Sequence, residues 1–183
     1  MTNKNKLLEA VFEAASILLS AILAVAVIFT FLFKISNVSG QSMENTLHHG
    51  DSLIITAADL KPEYGDVVVI SQPNGYEKVL IKRVIATGGQ TVSFDIDTGK
   101  VLVDGKALDE PYIKEDMEFL YTMLESYTVP EGMLFVMGDN RNNSADSRDP
   151  NVGFIDSRYV VGKVIYRIGD KSLFKTPEAQ LNG

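Results

Sequence analysis

QTVSFDIDTGKVLVDGKALDE, residues 90–110, alternates Val, Phe, Ile and Leu with polar side chains and breaks twice, at Thr98-Gly99 and Asp104-Gly105. A period of two puts one face of a strand inward and the other outward, and Thr-Gly and Asp-Gly steps form turns. The stretch therefore reads as antiparallel strands joined by tight connections. The same texture extends both ways. DSLIITAAD (51–59), GDVVVI (65–70) and EKVLIKRVIA (77–86) precede it, and GMLFVM (132–137) and YVVGKVIYRI (159–168) follow. These segments are β-branched and bounded by turn formers. After residue 35 the only weak helix candidate is 116–126. There is no internal repeat and no low-complexity segment, and the tail 171–183 reads as partly disordered. The expected fold class is mainly β, built from antiparallel sheets.

The start of the chain is different. AASILLSAILAVAVIFTFLF, residues 14–33, carries no charge. At about 1.5 Å per residue it covers roughly 30 Å as a helix, the apolar thickness of a bilayer. Ser16, Ser20 and Thr30 can return their hydroxyls to the helix backbone. A cleaved targeting peptide has a shorter apolar stretch and then a small-residue cleavage site. Here Phe29, Phe31, Leu32 and Phe33 crowd the end, which favours a retained single-pass transmembrane helix over that reading or a buried core helix. Lys4 and Lys6 precede the span and Lys34 follows it. Acids count little in the orientation rule, and a long following segment translocates regardless of charge. The expected topology is a cytoplasmic N-terminus with the remainder extracytoplasmic. Residues 1–35 then form the stub and span, and 36–183 a β-rich domain, with about 88–132 a smaller inserted segment.

The chain of 183 residues has a formal net charge of −7, which disfavours nucleic acid as a partner. It has no cysteine, so disulfides, thiol catalysis and thiolate metal sites are excluded.

Six residues past the apolar run sits SGQSM, with Ser42 between Gln41 and Met43. A hydroxyl becomes a nucleophile when a base removes its proton. The two histidines, His48 and His49, are adjacent and close a turn-like stretch, with no evident orienting carboxylate, so they read as solvated turn residues. A lysine can act as base if it is neutral, and burial in apolar surroundings lowers its pKa. Lys82 in VLIKRVIA has that setting, and Lys163 in YVVGKVIY is a second apolar-strand lysine. Taken alone, Lys82 reads as an edge-strand charge facing water. GDNRNNSADSR (138–148) alone reads as a polar loop. Its Asp139, Asn143, Asp146 and Asp149 miss the spacing of a calcium loop, since Arg141 falls where a ligand belongs.

Together these segments say more. SGQSMENTL, KRVIATGG and GDNRNNSADSR follow the span in that order, with GDVVV between the first two. The set resembles the type I signal peptidases, the membrane-bound serine–lysine endopeptidases, over nearly the whole chain. The short segment between KRV and GDNR makes it similar to the smaller, Gram-positive-type members. The resemblance implies a β-sheet fold of the signal-peptidase and SOS-repressor Ser-Lys type. It implies Ser42 as nucleophile and Lys82 as general base, with Ser144 orienting the amine and Asp146 and Arg148 as a supporting pair. Gly40 aligns where some relatives carry a second, hydroxyl oxyanion donor. Asp139, Asn140 and Arg141 brace the loop, and Arg83 points to the face opposite Lys82 with a structural role.

Two departures stand out. Asn45 replaces the proline usual three residues after the nucleophile, and KRVIATGGQ replaces KRVIGLPGD. The first implies a geometric adjustment, and the second alters a turn and leaves Lys82 in place. The implied activity is removal of signal peptides from exported preproteins, cutting after small residues, with no cofactor and no metal. An extended substrate would add to a sheet edge, with Val38, Met43, Leu47, Leu80 and Ile81 lining shallow pockets near the lipid bilayer. The alternatives are an anchored, non-catalytic β-domain that binds a partner and a self-cleaving serine–lysine domain of repressor type.

Overall fold

The computed structural model describes residues 3–58, 61–71, 78–118 and 126–169. The chain divides into two compact units, Met1–Lys34 and Ile35–Gly183. The first is dominated by α1 (Asn3–Leu32). Its segment Asn5–Leu32 contains an 18-residue window of mean hydropathy 2.6 and is long and apolar enough to cross a membrane. The hydroxyls of Ser16, Ser20 and Thr30 donate to the carbonyls of Glu13, Ser16 and Ala26, each at 2.8 Å. The polar atoms inside the span are thus absorbed by its own backbone, as the sequence predicts.

Among the described residues, the second unit carries eleven strands: β1 (Phe33–Asn37, which begins in the first unit), β2 (Ser52–Thr56), β3 (Val67–Ile70), β4 (Leu80–Thr87), β5 (Thr91–Phe94), β6 (Val101–Val103), β7 (Lys106–Ala107), β8 (Ser126–Thr128), β9 (Met133–Met137), β10 (Ile155–Asp156) and β11 (Val160–Arg167). One seven-stranded sheet runs β1-β2-β11-β3-β4-β9-β10, and a four-stranded sheet runs β7-β6-β5-β8. The pairings are antiparallel. The mainly β expectation holds. The 90–110 stretch supplies β5, β6 and β7, with turns at Gly99 and Gly105, whose φ values of 67° and 79° suit a residue without Cβ.

β4 positions the site, and its alternation is the reason. Leu80 and Val84 pack with Val68, Ile70, Val136 and Ile155. Ile81 packs with Val67, Val69, Met43, Leu47 and Leu53, while Ile85 packs with Val92, Phe94 and Phe135 beneath the small sheet. Lys82 falls between Leu80 and Val84 on the first face. β4 also bulges, since Val84 pairs with Val136 and Ala86 with Phe135, leaving Ile85 extra.

Three sequence expectations are corrected. β4 lies between β3 and β9 in the sheet order, and although β9 covers it only from Arg83 onward, Lys82 does not face water: it is only 3% exposed. Of the 116–126 helix candidate, the described residues 116–118 and 126 are not helical, and Ser126 opens β8. Ser126 pairs with Ser93 of the distant β5, which local pattern does not reveal. DSLIITAAD contributes only Ser52–Thr56 as strand. The rest of 116–126, and the tail 171–183, lie outside the described residues.

Candidate active site

Ser42 sits in a tight loop that leaves β1 and returns to β2. Val38 donates to Asp51 O at 2.8 Å and Gly50 to Val38 O at 2.9 Å, which pins the loop's base. Gly40 turns the chain with φ of 102°, in the region only glycine adopts freely. Its N–H donates to His49 Nδ1 at 3.2 Å. Asn140 clasps the loop from outside: its backbone N–H donates to Ser42 O at 3.0 Å and its side chain to Gln41 O at 3.1 Å. Thr46 donates to Asp139 Oδ2 at 2.5 Å, and the Lys114 amine donates to Glu44 at 2.9 Å. The Glu44–Asn45 peptide, where the expected proline is missing, is cis.

Lys82 Nζ lies 2.7 Å from Ser42 Oγ, donating in the geometry observed. When the amine is neutral its lone pair can accept the hydroxyl proton along the same line. Burial lowers the Lys82 pKa from 10.5 to about 8, against the opposite pull of the Asp146 and Asp139 charges, with Arg148 reinforcing the drop. On the order of one amine in four is then neutral near pH 7.5, against about one in a thousand at the ordinary value.

The loop 138–148 closes over this pair. Arg148 grips Asp146 through Nε and Nη2, both at 2.8 Å, and donates to Arg141 O at 2.7 Å. Gly138 N–H donates to Asp146 Oδ2 at 2.9 Å. Burial pushes the Asp146 carboxyl up, but Arg148 and the Gly138 amide outweigh it and hold the pKa below the usual range. Ser144 adds a small pull on that carboxylate, yet its buried Oγ makes no hydrogen bond of proper geometry. A buried hydroxyl without a partner is costly and uncommon in a native structure. Arg83 faces a different set of partners. It holds Asp139 through two bonds at 2.8 and 2.6 Å, donates to Gly65 O, and lies 3.9 Å over the Tyr112 ring.

The pair opens onto a cleft of about 490 Å³ lined by residues 37–43 on one wall, 78–82 on the other, and Asn143 and Ala145. Of the residues expected to contact substrate, Val38, Met43, Leu80 and Ile81 line it. Leu47 does not: it is fully buried and packs with Leu53 and Ile55 below the loop. Lys163, the rival lysine, is paired with Asp66 at 2.9 Å. Asp139 and Asp146 of the weighed calcium reading are committed to Arg83 and Arg148.

Sequence reasoning passed over three residues. Gly138 has no room for a Cβ, which would collide with Ser42 O and the Ser144 side chain. It sits inside the quoted motif, so its signal was available. Glu110 holds Arg141 through two bonds, at 2.8 and 2.5 Å, and accepts from Tyr112 at 2.9 Å. Both Glu110 and Tyr112 come from the inserted segment, and nothing local marks them as partners of the loop.

The family model described as signal peptidase, peptidase S26, matches residues 11–168. The signal peptidase I of Bacillus licheniformis is 36% identical over 173 residues, covering 88% of each chain. That of Bacillus amyloliquefaciens is 32% identical over 166 residues, covering 84% of this chain and 85% of the relative. A solved structure of a signal peptidase I from Enterococcus faecalis V583 is 33% identical and covers 56% of this chain and 96% of that one, with a TM-score of 0.46.

Proposed function

The chain belongs to the signal peptidase, peptidase S26, family of serine endopeptidases, and from that premise we propose that Ser42 and Lys82 carry out its hydrolysis. The activity is removal of signal peptides from exported preproteins. The observation that carries the assignment is a lysine 3% exposed, with its amine 2.7 Å from a serine hydroxyl at the mouth of a cleft.

The neutral Lys82 amine takes the Ser42 proton as Oγ attacks the scissile carbonyl. The Ser42 N–H receives the developing oxyanion. The Lys82 ammonium gives its proton to the departing amine, and the serine ester remains. Lys82 then takes a proton from water, which attacks the ester, and the resulting ammonium returns that proton to Ser42 Oγ as the acid product leaves, restoring the hydroxyl and the neutral amine. Ser144, Asp146 and Arg148 hold the electrostatic surroundings of the amine. Gly40 supplies no side-chain donor, and its N–H is already given to His49.

β4 pairs with β3 over Leu80–Arg83 but with β9 only from Arg83 onward. One backbone edge of 80–82 therefore faces the cleft, and an extended preprotein segment can align along it. Val38, Met43, Leu80 and Ile81 bound the space for small side chains before the cut. Residues 1–35 act as cytoplasmic stub and single-pass anchor in the cell membrane, and 36–183, with its insert at about 88–132, as the extracytoplasmic catalytic domain. Ser42 then lies ten residues beyond the last residue of α1 in sequence, within reach of a cleavage site leaving the bilayer.

Ser42→Ala and Lys82→Ala should each abolish preprotein processing while the circular dichroism spectrum is kept. For the wild type, kcat/KM should fall as pH drops through about 8, because protonation removes the base. Near-normal turnover by Lys82→Ala, or an acidic limb close to pH 10, would overturn the assignment.

A further inference from the structure

An acidic protein here presents a cationic cleft. The chain carries −7 overall, yet among the described residues lining the cleft there is no carboxylate, and the charged side chains are Lys78 and Lys82. The Lys82 amine is buried and engaged with Ser42. Lys78 is exposed, lines the same cleft, and among the described residues has neither an ion pair nor a hydrogen bond. A peptide entering the cleft therefore meets one unneutralised positive charge.

Its place along the peptide follows from strand geometry. Lys78 precedes Lys82 by four residues and sits in the bend just before β4, so it lies at most about 13 Å back along the chain at 3.3 Å per residue. From Arg83 onward the open edge of β4 is taken by β9, so a substrate strand runs beside 80–82, passes Lys78 just before the strand begins, and ends at the reacting pair. A partner strand advances at the same spacing. The side chain beside Lys78 thus belongs to a residue about four positions upstream of the one whose carbonyl is attacked, which is the fifth before the cut.

We infer that Lys78 is a specificity-determining residue, favouring an acidic and disfavouring a basic side chain near the fifth position before the cleavage point. This rests on the serine–lysine reading above and on the substrate lying along β4. Small residues close to the cut give the cleft walls nothing to read by charge, so the cation acts further out, where side chains vary freely. Between exposed charges the effect is modest, about two- to five-fold per charge.

The test uses the full chain in detergent and peptides that differ only in carrying Asp, Gln or Lys at the fourth, fifth or sixth position before the cut. The expected order of kcat/KM is Asp above Gln above Lys, strongest near the fifth position and compressed by raising salt to about 0.5 M. Lys78→Gln should erase the order and leave the Gln-peptide rate within two-fold. Lys78→Glu should reverse it. Equal rates for the three peptides at every position, or an order that survives Lys78→Gln, overturns the inference while leaving the serine–lysine reading intact. Failure to cleave the Gln peptide at all overturns that reading, and this inference with it.

Discussion

Lys82 and Arg83 follow one another on β4 and are equally withdrawn from water, at 3% and 2% exposure. On the Arg83 face the cation meets a carboxylate in a two-bond grip, a carbonyl, and an aromatic ring. On the Lys82 face the amine meets a hydroxyl, and among the described residues no carboxylate lies within ion-pair distance of it. One face keeps its charge, and the other can give it up near neutral pH. Guanidinium suits the first, because it is always protonated and matches a carboxylate fork. An amine suits the second, because desolvation can carry its pKa into the working range. The difference between a structural and a reactive cation here lies in the partner, not in burial.

The most severe break in this contrast is Lys82→Met. Activity should fall by about 10³-fold or more, as the base is gone. Stability at pH 7 should hold or rise, since a desolvated amine without a counter-charge is replaced by an apolar side chain of similar length. Chemical denaturation of the full chain in detergent measures it, and a large destabilisation would mean that the amine is held as a stable ion. Next is Arg83→Met, which strands the buried Asp139 carboxylate. Losing one member of a buried pair costs about 3–5 kcal/mol, and the unfolding midpoint should drop accordingly. The two neighbours should thus move stability in opposite directions.

A pH series sharpens the same contrast. The folded Lys82 releases its proton at about 8 and the unfolded one at 10.5. Between those values the unfolded chain binds more protons, so the contribution of Lys82 to stability climbs with pH and is complete above the unfolded value. Relative to Lys82→Met, the wild type should gain about 3 kcal/mol over that window. A flat difference would show that burial does not depress the amine.

Much of this contrast was legible before any coordinates. The alternation in 90–110 predicted strands, whereas Lys82 and the 138–148 loop, each ordinary when taken alone, stood out with Ser42 only through the family resemblance of their ordered motifs. What was hidden depends on pairing between distant segments. Lys82 reads as a charge facing water because nothing local shows that Ser42, forty residues back, lies against its amine. Leu47 reads as pocket lining by nearness to Ser42, but the loop folds it down onto Leu53 and Ile55. The Glu110 grip on Arg141 spans 31 residues and leaves no periodic trace. β8, likewise, gains its identity only from β5.

The third lysine makes the smallest and most discriminating case. Lys163 also lies in an apolar strand, between Gly162 and Val164, and by sequence setting alone it competes with Lys82 as a base. Its amine instead sits 2.9 Å from Asp66, with the two side chains 14% and 12% exposed. That amine is thus engaged by a carboxylate rather than by a serine hydroxyl. Lys163→Met should therefore leave kcat/KM and its acidic limb unchanged and cost about 1 kcal/mol or less in stability, near the upper end for a pair in contact with water. A shift of the limb on removing Lys163 would break the rule that the partner, rather than the apolar strand, decides which lysine reacts.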